Sequence, residues 1–72
     1  MYYIKLNSMV TFLNKVNLQN ALYQVPPYSV LTIDGSDSRF IDYDVLEMIS
    51  EFEKQAHERH IQLMLKNVER RN

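Results

Sequence analysis

The sequence contains no cysteine and no tryptophan, and it has a single glycine. Without cysteine, a disulfide framework and a thiolate zinc site are both excluded, which is consistent with a reducing cytoplasmic setting. Eight Lys and Arg residues against nine Asp and Glu residues give a net charge of −1, so the chain has no long-range attraction to nucleic acid or to an anionic membrane surface. No apolar run approaches the about 20 residues of a membrane-spanning helix, and the N-terminus lacks the pattern of a signal peptide.

What is present is typical of one small folded domain. Of the 72 residues, 46% are hydrophobic and 24% are charged, as in ordinary globular proteins. A chain of this length buries only about 60% of the surface that its unfolded form exposes, so we expect a thin core and no large enclosed active site.

The spacing of the apolar residues predicts four strands and two helices. The predicted elements are strands over residues 2–6 and 9–13, a helix from residue 14 or 15 to the pair Pro26-Pro27, a strand over 30–33, a helix over about 42–57 and a strand over 61–65. This ββαβαβ order contains two successive strand-helix-strand units, which are normally parallel and right-handed. We therefore predict an α/β fold with a mixed, mostly parallel four-stranded sheet whose opening strand is antiparallel.

The most specific local signal is the acidic turn after the third predicted strand. Asp34 and Gly35 follow an apolar run that we expect to be buried. Gly35 is the single glycine of the sequence, and it stands where the strand must turn. Asp42 precedes the second helix, where we expect its side chain to cap the unpaired first-turn N–H groups. Its charge and that of Asp44 suit the positive end of the helix dipole. The sequence thus predicts a strand, an acidic loop and a capped helix.

Three short motifs, in this order, resemble the STAS domain, the module of anti-sigma-factor antagonists and of the cytoplasmic C-terminal region of SulP-family anion transporters. They are Phe12-Leu13-Asn14 before the first helix, Ile33-Asp34 at the end of a strand and Phe40-Ile41-Asp42 before the second helix. The transporter branch is the closer match, and the similarity covers about residues 2–68. It implies a non-catalytic regulatory or assembly domain on the cytoplasmic side of the membrane. Its partner would be the transmembrane portion of the same transporter, of the sulfate or bicarbonate class.

We expect a partner to dock on the acidic turn and on the start of the second helix. Antagonist-type STAS domains carry a phosphorylatable serine after the F-x-D phrase, and Asp44 occupies the matching position here. A serine switch at this position is therefore excluded, and a fixed carboxylate stands in its place. The alternative function is a free-standing protein-binding module of the antagonist kind that lacks this serine. The residues expected to contact a partner are Asp34, Ser36, Asp37, Ser38, Tyr43 and Asp44.

Chemical sites find little support in the sequence. The acidic residues of the turn lack the spacing of a calcium loop, and His57 and His60 have no third metal ligand. Asp34 ends a strand like the phosphate-accepting aspartate of receiver domains, but we expect no lysine at a later strand end to steady a phosphoryl group. Ser36 and Ser38 lack a histidine-acid pair, and one glycine cannot form a phosphate cradle for a nucleotide. We expect no enzyme activity, no metal and no cofactor.

The C-terminus and the oligomeric state form the last expectation. A complete STAS domain usually continues with another helix, so residues 68–72 are expected to begin a helix that stops short. The thin core and the short C-terminus predict a homodimer, in which a second copy covers an open sheet edge or an apolar helix face.

Overall fold

The computed structural model describes residues 1–68 as a small α/β fold, which confirms the predicted class. The elements are β1 (Tyr2–Lys5), β2 (Met9–Val10), a 3-10 turn (Phe12–Asn14), α1 (Lys15–Tyr23), β3 (Val30–Asp34), β4 (Phe40–Ile41), α2 (Tyr43–Glu58) and β5 (Gln62–Lys66). Both helices and the third and last predicted strands lie where the periodicity placed them. The helix expected to begin near residue 68 falls mostly outside the described residues.

The main sheet has three strands in the order β1-β3-β5, and both of its strand pairs are parallel. The prediction of an antiparallel opening strand is therefore wrong. The cause is the connection: β1 does not form a hairpin with β2 but reaches β3 through α1, and a crossover helix between adjacent strands returns the chain in the same direction.

The predicted second strand is also wrong in length and in partner. Only Met9 and Val10 are extended, and they pair in parallel with β4, a two-residue strand that the apolar spacing does not predict. The Asn14 side chain ends the strand, because its Oδ1 atom accepts a hydrogen bond from Thr11 N at 2.9 Å and closes the turn that leads into α1. The predicted four-stranded sheet is thus a three-stranded sheet and a separate two-stranded ladder.

The hydrophobic core lies between the main sheet and the two helices. Leu31 and Ile33 of β3 are fully buried, and they face α1 and α2, which contact each other. Phe52 of α2 is also fully buried and meets the Tyr23 ring of α1 edge-on, with 5.3 Å between ring centroids. Both helices occupy one face of the sheet because two right-handed crossovers in the same direction place their helices on the same side.

The opposite face of the sheet is uncovered in the described part of the chain. Side chains alternate along a strand, so Thr32 points away from the helices, and Tyr3 and Met64 are its partners in register on the two outer strands. Tyr3 is 57% exposed and Met64 is 50% exposed. Within residues 1–68, no helix is long and apolar enough to cross a bilayer.

Candidate functional site at the carboxyl end of the sheet

Asp34 ends the central strand, and among residues 1–68 it is the one buried charged residue. It is only 4% exposed; its carboxylate accepts hydrogen bonds from the Tyr3 hydroxyl and, at 2.8 Å, from Ser36 N. Lys5 and Lys66 end the two flanking strands in register with it, because the carboxyl ends of parallel strands meet at one edge. Hydrogen bonds from Ser36 and then from Tyr3, together with the Lys66 charge, hold the pKa of Asp34 well below its usual range.

The neighbours of Asp34 are shifted in the opposite direction. The hydrogen bond to Asp34 raises the pKa of the Tyr3 hydroxyl, since the carboxylate stabilises the protonated phenol. Lys5 Nζ lies 2.9 Å from a carboxylate oxygen of Asp37, and this bond raises the pKa of Lys5. At neutral pH Asp34 is therefore ionised, while Lys5 and Tyr3 keep their protons.

The turn after Asp34 is held from both sides of the sheet. On the β5 side, Gly35 N donates to Lys66 O at 2.8 Å, and Asn67 Nδ2 donates to Ser36 Oγ at 2.8 Å. On the β1 side, Ser38 Oγ donates to the carbonyl oxygen of Asn7 at 2.6 Å. These bonds fix the position of the acidic turn relative to the sheet.

Asp42 caps α2, as the sequence predicted. Its backbone is extended at ψ 145°, and its Oδ1 atom accepts a hydrogen bond from Asp44 N at 3.3 Å. Asp44, in the first turn, lines a groove of about 170 Å³ between the two helices, opposite Lys15 and beside Glu47. The Asp44 carboxylate at the start of α2 therefore lies on the side of α1, away from the acidic turn that follows β3.

The six residues expected to contact a partner occupy three kinds of position. Asp34 is buried and positions the turn. Ser36 and Asp37 are exposed, Ser38 is half-buried, and we call these three the turn surface. Tyr43 and Asp44 are exposed at the start of α2, and we call them the helix-start surface. Asp37 reaches Lys5 on the uncovered face, whereas Asp44 lies in the groove on the helix face, so the two surfaces are separate.

Sequence reasoning missed the residues that β1 and β5 bring to this edge. Tyr3 lies 31 positions before Asp34, and Lys5 lies 32 positions before Asp37. These contacts could have been predicted only from a sheet in which β1 pairs in parallel with β3. The expectation that no lysine ends a later strand is wrong, because Lys66 ends β5 beside Asp34. Receiver-type chemistry also needs an acidic pair for Mg²⁺ beside the phosphate-accepting aspartate, and the strands on both sides of Asp34 end in Lys5 and Lys66 instead. Within residues 1–68, no group of three or more His, Cys, Asp or Glu side chains is placed to hold a metal ion.

The two histidines lie at the opposite end of the sheet. His57 belongs to the last turn of α2, where its charge suits the helix dipole when it is protonated. His60 follows the helix with φ 59° and stacks on the Tyr28 ring, with 4.8 Å between ring centroids and 8° between planes. The structure therefore separates the histidines from the acidic turn.

The chain matches no protein-family model, no curated protein and no solved structure. The site offers fixed charges on a rigid turn and a capped helix start, an arrangement suited to docking a complementary surface.

Proposed function

We propose that this chain is a STAS-like domain that acts without catalysis as a regulatory or assembly module of a SulP-type anion transporter. In this role it lies on the cytoplasmic face of the membrane, and its partner is the transmembrane portion of the same transporter. The domain contributes docking contacts, while selection of the anion belongs to the membrane region.

The observation that carries the proposal is the position of the three motifs that resemble the family. Each stands at an element boundary: Phe12-Leu13-Asn14 forms the turn before α1, Ile33-Asp34 ends the central strand, and Phe40-Ile41-Asp42 joins β4 to the cap of α2. Motifs at such boundaries set the path of the chain through the sheet, which explains why their order matters more than their individual composition.

The docking role is supported by the chemistry of the turn surface. Ser36 and Asp37 are exposed on a turn that three hydrogen bonds from both flanks hold in place. A rigid surface loses little conformational entropy on binding, so its polar contacts are efficient. If the domain docks on one state of the transmembrane portion better than on another, it biases the equilibrium between those states.

Substitution in the intact protein tests the docking role. Asp37→Ala removes the exposed carboxylate of the turn surface, and Asp44→Ala removes that of the helix-start surface, while Asp42 is left to cap the helix. Glu58→Ala, at the exposed far end of α2, is the matched control. We expect a change in transport rate or partner binding with at least one of the two substitutions and none with the control. Unchanged transport and binding in both variants, with the fold retained, would refute the docking role.

The transporter role is tested separately by the coding DNA directly upstream of Met1 in the native locus. An open frame that encodes around ten or more apolar segments of roughly 20 residues each supports the transporter proposal. A stop codon and a ribosome-binding site immediately before Met1 would overturn it and favour a free-standing binding module.

A further inference from the structure

β5 is an edge strand whose outer backbone groups have no strand partner within residues 1–68. Gln62 N donates to Ser29 O at 2.8 Å, so Gln62 directs its backbone groups inward toward β3. In a parallel strand the direction alternates from residue to residue. Leu63 and Leu65 therefore direct their N–H and C=O groups outward, toward the open edge.

The side chains of this edge are apolar and incompletely buried. Leu63 and Leu65 are half-buried at the border of the core, and Met64 between them is 50% exposed on the uncovered face. Natural proteins protect edge strands with charges, prolines or covering elements, and a run of three apolar residues has none of these. Only Lys66, at the end of the strand, carries a charge.

The other edge of the sheet is better protected. On β1, Lys5 and Tyr3 are the residues whose backbone groups point outward, because Leu6 N donates inward to Asp34 O at 2.8 Å. Their side chains are engaged, Lys5 with Asp37 and Tyr3 with the Asp34 carboxylate. A lysine on an edge strand opposes the approach of another strand, and Lys5 stands at a position whose backbone groups point outward, whereas Lys66 directs its carbonyl oxygen inward to Gly35 N. Within residues 1–68, β5 is therefore the edge that is more open to pairing.

We propose that a second copy of this chain pairs with β5 edge to edge, as an antiparallel strand centred on Met64, to form a continuous six-stranded sheet. This identifies the surface of the expected homodimer, and it does not depend on the transporter role. The occupant is a second copy because the strand is complementary to itself in this register.

The register satisfies the backbone and the charges together. Leu63 lies opposite the partner copy's Leu65, and since both point outward, each such pair exchanges two hydrogen bonds, which gives four across the two-fold axis. Met64 lies opposite the partner's Met64 in a pair that is not hydrogen-bonded, and in such pairs the two side chains approach most closely. Each Lys66 lies opposite Gln62, so no like charges meet. Leucine packs on leucine on the helix face, and methionine packs on methionine on the other.

The interface is small. A five-residue ladder is about 16 Å long, so it buries less than the roughly 800 Å² per partner of a standard stable interface. We therefore expect a reversible dimer that dissociates on dilution.

Hydrogen exchange measured at several protein concentrations tests the surface directly. We expect the amides of Leu63 and Leu65 to become more protected as the concentration rises, because they gain partners only in the dimer. The outward amides of Tyr3 and Lys5 are the internal control and are expected to keep their exchange rates. Protection that appears at Tyr3 and Lys5 instead, or at neither edge, would overturn the proposal.

Sedimentation equilibrium of charged variants tests the register. Met64→Lys and Met64→Glu each place like charges against each other at the two-fold axis, so each variant alone is expected to be monomeric, while an equimolar mixture forms a heterodimer. Met9→Lys is the matched control, since Met9 is 60% exposed and lies outside the main sheet. Thr32→Lys, at the centre of the uncovered face, is expected to leave the dimer intact. The proposal fails if wild type is monomeric at high concentration, if Met64→Lys dimerises like wild type, if the mixture stays monomeric, or if Thr32→Lys abolishes the dimer.

Discussion

Gly35→Ala is the substitution for which the structure makes the sharpest statement about stability. The φ angle of Gly35 is not positive, so a left-handed backbone conformation is not the reason for a glycine at this position. The reason is steric, because there is no room for a side chain. A Cβ atom at this position would lie 2.7 Å from the carbonyl oxygen of Asn67 and 3.0 Å from Cγ2 of Val68. The first contact is with backbone, which cannot rotate away as a side chain can.

The expected loss follows from two opposing effects. Overfilling a packed site costs about 1–3 kcal/mol, while replacing glycine with alanine recovers about 0.4–1 kcal/mol by restricting the unfolded chain. The balance of the two midpoints is a destabilisation of about 1.3 kcal/mol, against a total stability of about 4–11 kcal/mol for a domain of this length. In a domain of 60–100 residues this corresponds to a fall in Tm of about 5–10 °C. The strain falls on the bond from Gly35 N to Lys66 O, which joins β3 to β5.

Urea unfolding of the 72-residue chain measures the effect through the midpoint and the slope m. Ser36→Ala, one position further on, is the control, because Ser36 is exposed and the change adds no atom. It removes the acceptor of one exposed hydrogen bond and one contact to Asp34, so its midpoint is expected to fall less than that of Gly35→Ala. A Gly35→Ala variant as stable as wild type or more stable would refute the argument from close approach.

Three further predictions concern the cap, the core and the pH dependence. Asp42→Ala is expected to cost about 1 kcal/mol by removing the cap of α2, whereas Asp44→Ala costs a few tenths of a kcal/mol through the helix dipole; urea midpoints compare them. Phe52→Leu is expected to cost about 1–3 kcal/mol, because it loses the edge-on contact with Tyr23 as well as volume; a midpoint equal to wild type would contradict this. The pKa of Asp34 is lowered in the folded state, so its contribution to stability is present above the unfolded pKa of about 3.9 and is lost as pH falls further below it. Asp34→Asn should therefore flatten the fall in stability between about pH 5 and pH 2, and an unchanged slope would refute that role.

The sequence predicted the elements that carry a strong local signal. The second helix has an apolar stripe, an acidic cap and a clear end, and its predicted limits of about 42–57 match Tyr43–Glu58 closely. The β3 strand is a buried β-branched run ended by Asp34, and it was placed to within one residue. Both patterns reflect burial on one face, which the sequence records directly.

The pairing of the first two strands could not be predicted in the same way. An apolar run followed by a short polar break and another apolar run reads equally well as a hairpin or as two separate strands. The decision depends on the bond from Thr11 N to Asn14 Oδ1 and on the pairing of β2 with β4 about 30 residues away. Two-residue strands carry almost no periodicity, so β4 had no local signal to detect.

The candidate site was predicted in part for the same reason. The acids of the turn are adjacent in sequence, so their cluster was visible, but Tyr3, Lys5 and Lys66 join it only through the register of parallel strands. Asp34 is buried, whereas Ser36 and Asp37 after it are exposed. The sequence does not show this difference, because an aspartate is ordinarily exposed.

The two proposed surfaces are compatible because of the direction of the strands. The turn surface lies at the carboxyl end of the sheet, and the β5 edge runs along its side. In an antiparallel pair the carboxyl ends of the two protomers point in opposite directions, so the two turn surfaces lie at opposite ends of the six-stranded sheet. A partner docked on one protomer therefore leaves the other turn surface accessible, and the edge pairing does not cover either. Docking and dimerisation are then independent, and Met64→Lys should abolish the dimer while each turn surface keeps its affinity for a partner.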